Sequence, residues 1–213
     1  MSDAINGKIQ ILLEKAARQN DSTVPKQSST AQATRVFSTA AEAEKAFSFL
    51  RNRLFKVELW NVESEILSFH LFDRNGNAAP EKPAATAGDF IKIIFPGSGK
   101  DDWVKIVQIH DSSGETVLTV QPSPDPTEKE SEKTTSHFFT ADSTNNFCLQ
   151  KIDAKINFYV IGLNEKTNTE DTSGVVETIR NFATANLGSF LGIQKTQWET
   201  FCENFLKSAE ANV

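Results

Sequence analysis

From residue 66 to residue 163 the chain alternates with a period of two, and most of the alternating runs are apolar on both sides. Leu67, Phe69 and Leu71 oppose Ile66 and Phe72; Ile91, Ile93 and Phe95 oppose Phe90 and Ile94; Trp103, Val107 and Ile109 oppose Val104 and Ile106. Successive side chains of a strand point to opposite faces, so a sheet made of these runs must be covered on both. Turn residues separate the runs at short intervals. Asp73-Arg74-Asn75-Gly76, Pro96-Gly97-Ser98-Gly99 and Asp111-Ser112-Ser113-Gly114 place Asn or Gly where positive φ costs little. This is the pattern of an antiparallel meander. Strands are expected at 66–72, 90–95, 103–110, 116–121, 136–139 continuing through a turn into 147–152, and 155–163.

The rest of the chain supplies helices to cover such a sheet. Ile5, Ile9, Leu12, Leu13 and Ala16 recur at helical spacing, so residues 3–19 form a short amphipathic helix whose stripe needs a cover. The cover is either the chain's own sheet or a second copy, which makes a homodimer through this helix one expectation. Residues 20–33 are Ser, Thr, Gln and Pro with little apolar content and read as a linker, giving two regions, 1–33 and 34–213. Ser38 or Thr39 caps a helix carrying Ala43, Ala46, Phe47, Leu50 and Leu54, and residues 55–63 form a short extended or single-turn piece. The last helix begins after Thr172 or Ser173 and aligns Val175, Ile179, Phe182, Phe190, Ile193, Phe201 and Phe205, with Gly188 and Gly192 as points where it can bend. One long closing helix and smaller opening ones suit a curled sheet whose concavity grips the closing helix. The fold class is thus α+β.

Composition narrows the function classes. Charged residues number 28 acidic and 22 basic and are interspersed, so a nucleic-acid surface is not expected. No run of 18 apolar residues occurs, and the N-terminus lacks a leader pattern, which points to a cytoplasmic protein without a membrane span. Cys148 and Cys202 stand apart from any CxxC or Cys/His cluster, so two buried thiols are expected, with no metal site and no cofactor. Sixteen Phe against one Tyr and one Met make the interior rich in rings, and rings both fill cores and line pockets.

With a short strand near Arg35–Phe37, the order becomes strand, helical segment, antiparallel strands, long closing helix. The stretches that carry the pattern are Thr39–Trp60, Gly88-Asp89-Phe90-Ile91-Lys92-Ile93, Trp103-Val104-Lys105-Ile106, Thr135-Ser136-His137-Phe138-Phe139 and the helix from Gly174 to Leu206. Together they resemble the helix-grip fold of the START and polyketide-cyclase superfamily (SRPBCC). The resemblance implies a deep apolar cavity between sheet and helix, used there for lipids, sterols, hormones or polyketides, for chemistry in some members, and for protein contacts in others. This chain departs from it by its N-terminal helix and by the long acidic loop at 121–135.

The residues that interrupt the apolar pattern are the candidates for a ligand site. His137 lies among rings beside Phe139, Lys92 and Gln108 break apolar alternation, Tyr159 is the sole tyrosine, and Arg180 sits next to Phe182 on the last helix. A polar group inside a cavity looks like this, and so does one facing solvent. No nucleophile–base order, Gly-rich phosphate loop or metal spacing is present, and catalytic residues are therefore unassigned. Binding of a small hydrophobic ligand between sheet and closing helix leads. A cyclase- or hydrolase-like enzyme using the same cavity, and a protein-interaction module, are the alternatives.

Overall fold

The computed structural model describes residues 7–21, 28–64, 67–94, 101–128, 140–166 and 190–210, the side chains of 190–195 excepted. Helix α1 (Lys8–Asn20) precedes strand β1 (Ser28–Val36) and helix α2 (Ala40–Leu54). A single 3-10 turn (Val57–Leu59) then runs into the short helix α3 (Trp60–Glu63). Six more strands follow, β2 (Ser68–Phe72), β3 (Phe90–Ile94), β4 (Asp101–Asp111), β5 (Glu115–Pro122), β6 (Thr144–Ile152) and β7 (Lys155–Leu163), and helix α4 (Phe190–Lys207) closes the chain. All pairings are antiparallel, in the order β1-β7-β6-β5-β4-β3-β2. The molecule is an α+β helix-grip fold: a curved seven-stranded sheet with the closing helix against its concave face.

The concave face is covered by helices and the convex face in part, by α1. On the concave side Phe69, Leu71, Ile91, Ile106, Leu118, Leu149 and Phe158 form one core with α2, α3 and α4. On the convex side Val117, Cys148, Ile161 and Leu163 meet Ile9, Leu12 and Ala16 of α1. The stripe of α1 is therefore spent on its own sheet, leaving Ile11, 38% exposed, as the large apolar side chain this helix shows to solvent. The polar ends of α1 are tied down as well. Ser28 Oγ donates to the Ala16 carbonyl at 2.7 Å, and Gln19 and Asn164 exchange hydrogen bonds of 2.6 and 3.0 Å.

Strand β1 begins at Ser28, so residues 28–33 are strand and not the tail of a linker, and the strand runs well ahead of Arg35. Its nine residues pair with β7 from Ser28↔Leu163 to Val36↔Lys155. The strand lacks large apolar side chains because α4 lies directly on it, over Ala31, which is 3% exposed. A small residue there lets the helix approach the backbone. Arg35 pairs with Glu210 at 2.5 Å and fixes the far end of the closing helix.

Helix α2 starts where the cap predicts. Thr39 Oγ1 accepts from Glu42 N at 3.1 Å and the Glu42 carboxylate accepts from Ser38 N at 3.0 Å. The segment after it is helical, not extended, because Trp60 packs inward and its Nε1 donates back to the Leu54 carbonyl at 3.2 Å. The loop at 77–88 is hydrogen-bonded into the body: Ala85 N donates to Phe55 O at 2.8 Å, and the side chain of Ala85 is buried. The expected strand at 136–139, the beginning of the closing helix and Gly188 lie outside the described residues.

Candidate functional site

The concave face ends in rings. Trp60 of α3, Phe69 of β2, Phe147 of β6, Phe158 of β7 and Trp198, Phe201 and Phe205 of α4 form a continuous cluster. Trp60 lies 5.5 Å from Phe69 and 4.7 Å from Phe147, and Trp198 lies 5.5 Å from both Phe147 and Phe201. Phe158 and Phe205 stack at 4.3 Å with 15° between their planes. Most of the other pairs are edge-on or tilted, the arrangements that ring quadrupoles favour. Spacing on the helix explains the supply: 198, 201 and 205 differ by three and four and share one face.

Among the described residues this cluster packs between sheet and closing helix, where the resemblance implies a deep cavity. Phe69, Leu71, Ile91, Ile106 and Leu118 are each no more than 2% exposed. A chamber wide enough for water would appear as accessible surface on these walls, so they are packed against other atoms along their length. Among the described residues a cleft of about 120 Å³ opens between the α3–β2 connection, at Ser64 and Leu67, and α4, at Thr196, Gln197, Trp198, Thr200 and Phe201. Trp198 and Leu67, each 8% exposed, form its apolar wall. Ser64 Oγ is already used, accepting from Leu67 N at 2.8 Å. The cleft thus offers ring faces and aliphatic surface with a rim of hydroxyl and amide groups.

Glu63, which precedes Ser64 of this cleft, has a structural partner. Glu63, 2% exposed, receives Arg53 Nε at 2.7 Å and its Nη2 at 2.5 Å. Burial raises the Glu63 carboxyl above the ordinary range against the opposing pull of Arg53. Asn204 Nδ2 donates to the Glu63 carbonyl at 3.1 Å and ties α4 to α3. Further along the concave side, Glu165 folds over Gly162 beside Ser29, where a Cβ on residue 162 would collide with the carboxyl. Burial pushes Glu165 up to about 7, against a hydrogen bond from Ser29.

The candidates drawn from the sequence fall elsewhere. Tyr159 lies on the convex face against the α1 cluster, and burial raises its phenol. Gln108 is convex too, with Lys8 Nζ 3.5 Å from its Oε1. Lys92 is on the same face, paired with Asp101 at 2.5 Å and 5.7 Å from the Trp103 ring centroid. None of these three borders the space between sheet and closing helix, because each alternates with a buried concave neighbour: Ile91, Val160 and, across the bulge at residue 107, Ile106 and Ile109. His137, Phe139, Arg180 and Phe182 lie outside the described residues. The residues that do form the cleft include Trp198, which polar-interruption reasoning passes over and the ring spacing on the last helix marks. The thiols of Cys148 and Cys202 are fully buried on opposite sides of the sheet, and burial raises both. Among the described residues no three His, Cys, Asp or Glu gather as a metal would require, and no described helix is long and apolar enough to cross a membrane.

No family model and no curated protein matches this chain. Among solved structures it is similar to a hypothetical protein from Helicobacter pylori, with a TM-score of 0.50, 8% identity, and coverage of 88% of this chain and 92% of that one. It also aligns with protein Ms6760 from Mycobacterium smegmatis, at TM-score 0.44 and 11% identity, over 88% and 93% of the two chains. A third match is ginseng major latex-like protein 151 from Panax ginseng, at TM-score 0.35 and 9% identity, over 76% and 99%. At such identities the first likeness is one of fold alone, and the two lower scores add nothing to it.

Proposed function

We propose that this helix-grip protein belongs to the START and polyketide-cyclase-like superfamily and binds a small, flat, apolar ligand under its closing helix. The observation that carries the reading is the cleft of about 120 Å³ whose wall is Trp198, Phe201 and Leu67. An apolar cavity of roughly 150 Å³ holds a benzene ring, so the fitting ligand is of single-ring size and not a sterol or long lipid. Its apolar surface replaces water on the ring faces, and the rim hydroxyls of Thr196 and Thr200 would orient a small polar substituent. The described candidates for acid–base work do not converge, which leaves binding ahead of catalysis. Two buried free thiols on opposite faces suit a reducing cytoplasmic setting.

Toluene is a suitable probe. The chain has three tryptophans, and titration should change the emission of Trp198 with a Kd on the order of 0.1–1 mM, the range open to a ligand of seven heavy atoms. Thr200→Phe, which fills the cleft mouth from an accessible position, should abolish the change while preserving the fold. Emission that stays flat to the solubility limit, or that persists in Thr200→Phe and in Trp198→Phe alike, contradicts the reading.

A further inference from the structure

We infer that the convex face carries a second site, a groove that takes a small organic anion with a planar apolar body. The groove measures about 480 Å³ and lies between the 73–77 turn and the 122–126 loop. That volume falls within the roughly 300–1,000 Å³ of small-molecule sites. Its floor is laid by register: Phe90, Lys105 and Gln121 are direct cross-strand partners on β3, β4 and β5, so their side chains stand in a row on one face. The bulge between Ile106 and Gln108 adds Val107, 40% exposed, to the same floor.

The walls are held to the sheet. Ser123 N donates to Trp103 O at 2.9 Å and starts one wall, while Ala79 N to Leu71 O and Asp73 N to Asn77 O, both 2.8 Å, fix the other. Gly76, at φ +80°, closes the end: a Cβ there would stand 2.7 Å from the Pro126 carbonyl oxygen. A site with hydrogen-bonded walls needs little ordering when a ligand enters.

Charge decides the occupant. Arg74 and Lys105 both line the groove, both are exposed, and none of the lining residues is acidic. Among the described residues neither cation has a carboxylate partner; Lys105 rests 5.2 Å from the Phe90 ring centroid. Two unpaired cations beside Phe90, Pro124 and Pro126 suit an acidic head joined to a flat apolar body. Gln121 and Asn75 add amide donors for the head group.

The test uses the full chain and three probes followed by backbone amide shifts. 2-Naphthoate has head and body, 2-naphthylmethanol has the body without charge, and inorganic phosphate has charge without the body. Naphthoate should shift Asn75, Phe90, Lys105, Val107 and Gln121 saturably and bind at least about tenfold more tightly than either control. Arg74→Gln/Lys105→Gln, which alters exposed side chains and should leave Tm unchanged, should weaken naphthoate by about tenfold or more. Shifts confined to Leu67, Trp198 and Phe201 would assign the probe to the cleft under α4 and overturn the second site without touching the first. Equal affinity for phosphate and naphthoate, undiminished affinity in the double variant, or no saturable shift by roughly 10 mM would overturn it too.

Discussion

Glu165 occupies the space that Gly162 leaves empty, and its environment sets its titration. A carboxyl 8% exposed and raised to about 7 holds its proton more firmly in the folded chain than in the unfolded one, where it titrates near 4.5. The stability linked to this group is therefore complete below pH 4.5 and is lost as pH rises through 7. The loss is on the order of 3 kcal/mol, taking about 1.4 kcal/mol for each unit. Urea unfolding between pH 5 and 8 should show this decline, and Glu165→Gln should flatten it; an equal slope in both proteins would count against the assignment. Gly162→Ala puts a methyl into the carboxyl and should cost about 1–3 kcal/mol. The Glu63–Arg53 pair gives a second prediction at this scale. Arg53→Met strands a buried carboxylate and should cost about 3–5 kcal/mol, whereas replacing both partners with apolar residues should cost much less. A double-mutant cycle without coupling would show that the pair does not act as a unit.

At the scale of elements, α1 is the clearest case of a segment whose role the structure decides. Ile9 is fully buried and Leu12 and Ala16 nearly so, over Val117, Cys148, Ile161 and Leu163. Ile9→Ala should cost about 2–5 kcal/mol. Ile9→Asp should detach the helix and expose Cys148, so that a thiol reagent labels it in the folded chain. Cys148 protected in that variant would mean that something other than α1 shields it. The amphipathic stripe of this helix and the alternation of β2–β7 were legible because each is a repeating burial pattern, and the cap of α2 because Thr39 and Glu42 form a local hydrogen-bonding motif. The early start of β1 was not, since Ser28, Ala31 and Thr34 advertise no core; Ser28 and Ala31 are small because α1 and α4 lie on them, and Thr34 is exposed beside Asn157. The candidate site was read through polar interruptions, Lys92, Gln108 and Tyr159, and these mark the convex face: Lys92 pairs there with Asp101, Gln108 meets Lys8 of α1, and Tyr159 packs beside the α1 cluster. Which face of a strand turns inward is a property of the whole sheet. The spacing of Trp198, Phe201 and Phe205, of which the sequence reading left out Trp198, is the better guide, since a helix gripped by the sheet turns its rings toward it.

For the whole molecule, the described residues of the curved sheet and its closing helix meet in a core of rings beside a cleft at Leu67 and Trp198. On the proposed reading, volume more than polarity would select a ligand, and truncation should enlarge the choice. Phe147→Ala removes a ring that touches Trp60, Trp198 and Phe201 and should cost about 3–5 kcal/mol while opening a cavity continuous with the cleft. That variant should accept two-ring apolar ligands that the parent excludes. The most direct test is diffraction from crystals of the parent protein equilibrated with toluene. A ring bound against Leu67, Trp198 and Phe201 is the predicted result; a cleft still empty at saturation, with Trp198 and Phe201 unmoved, would contradict a ligand site under the closing helix.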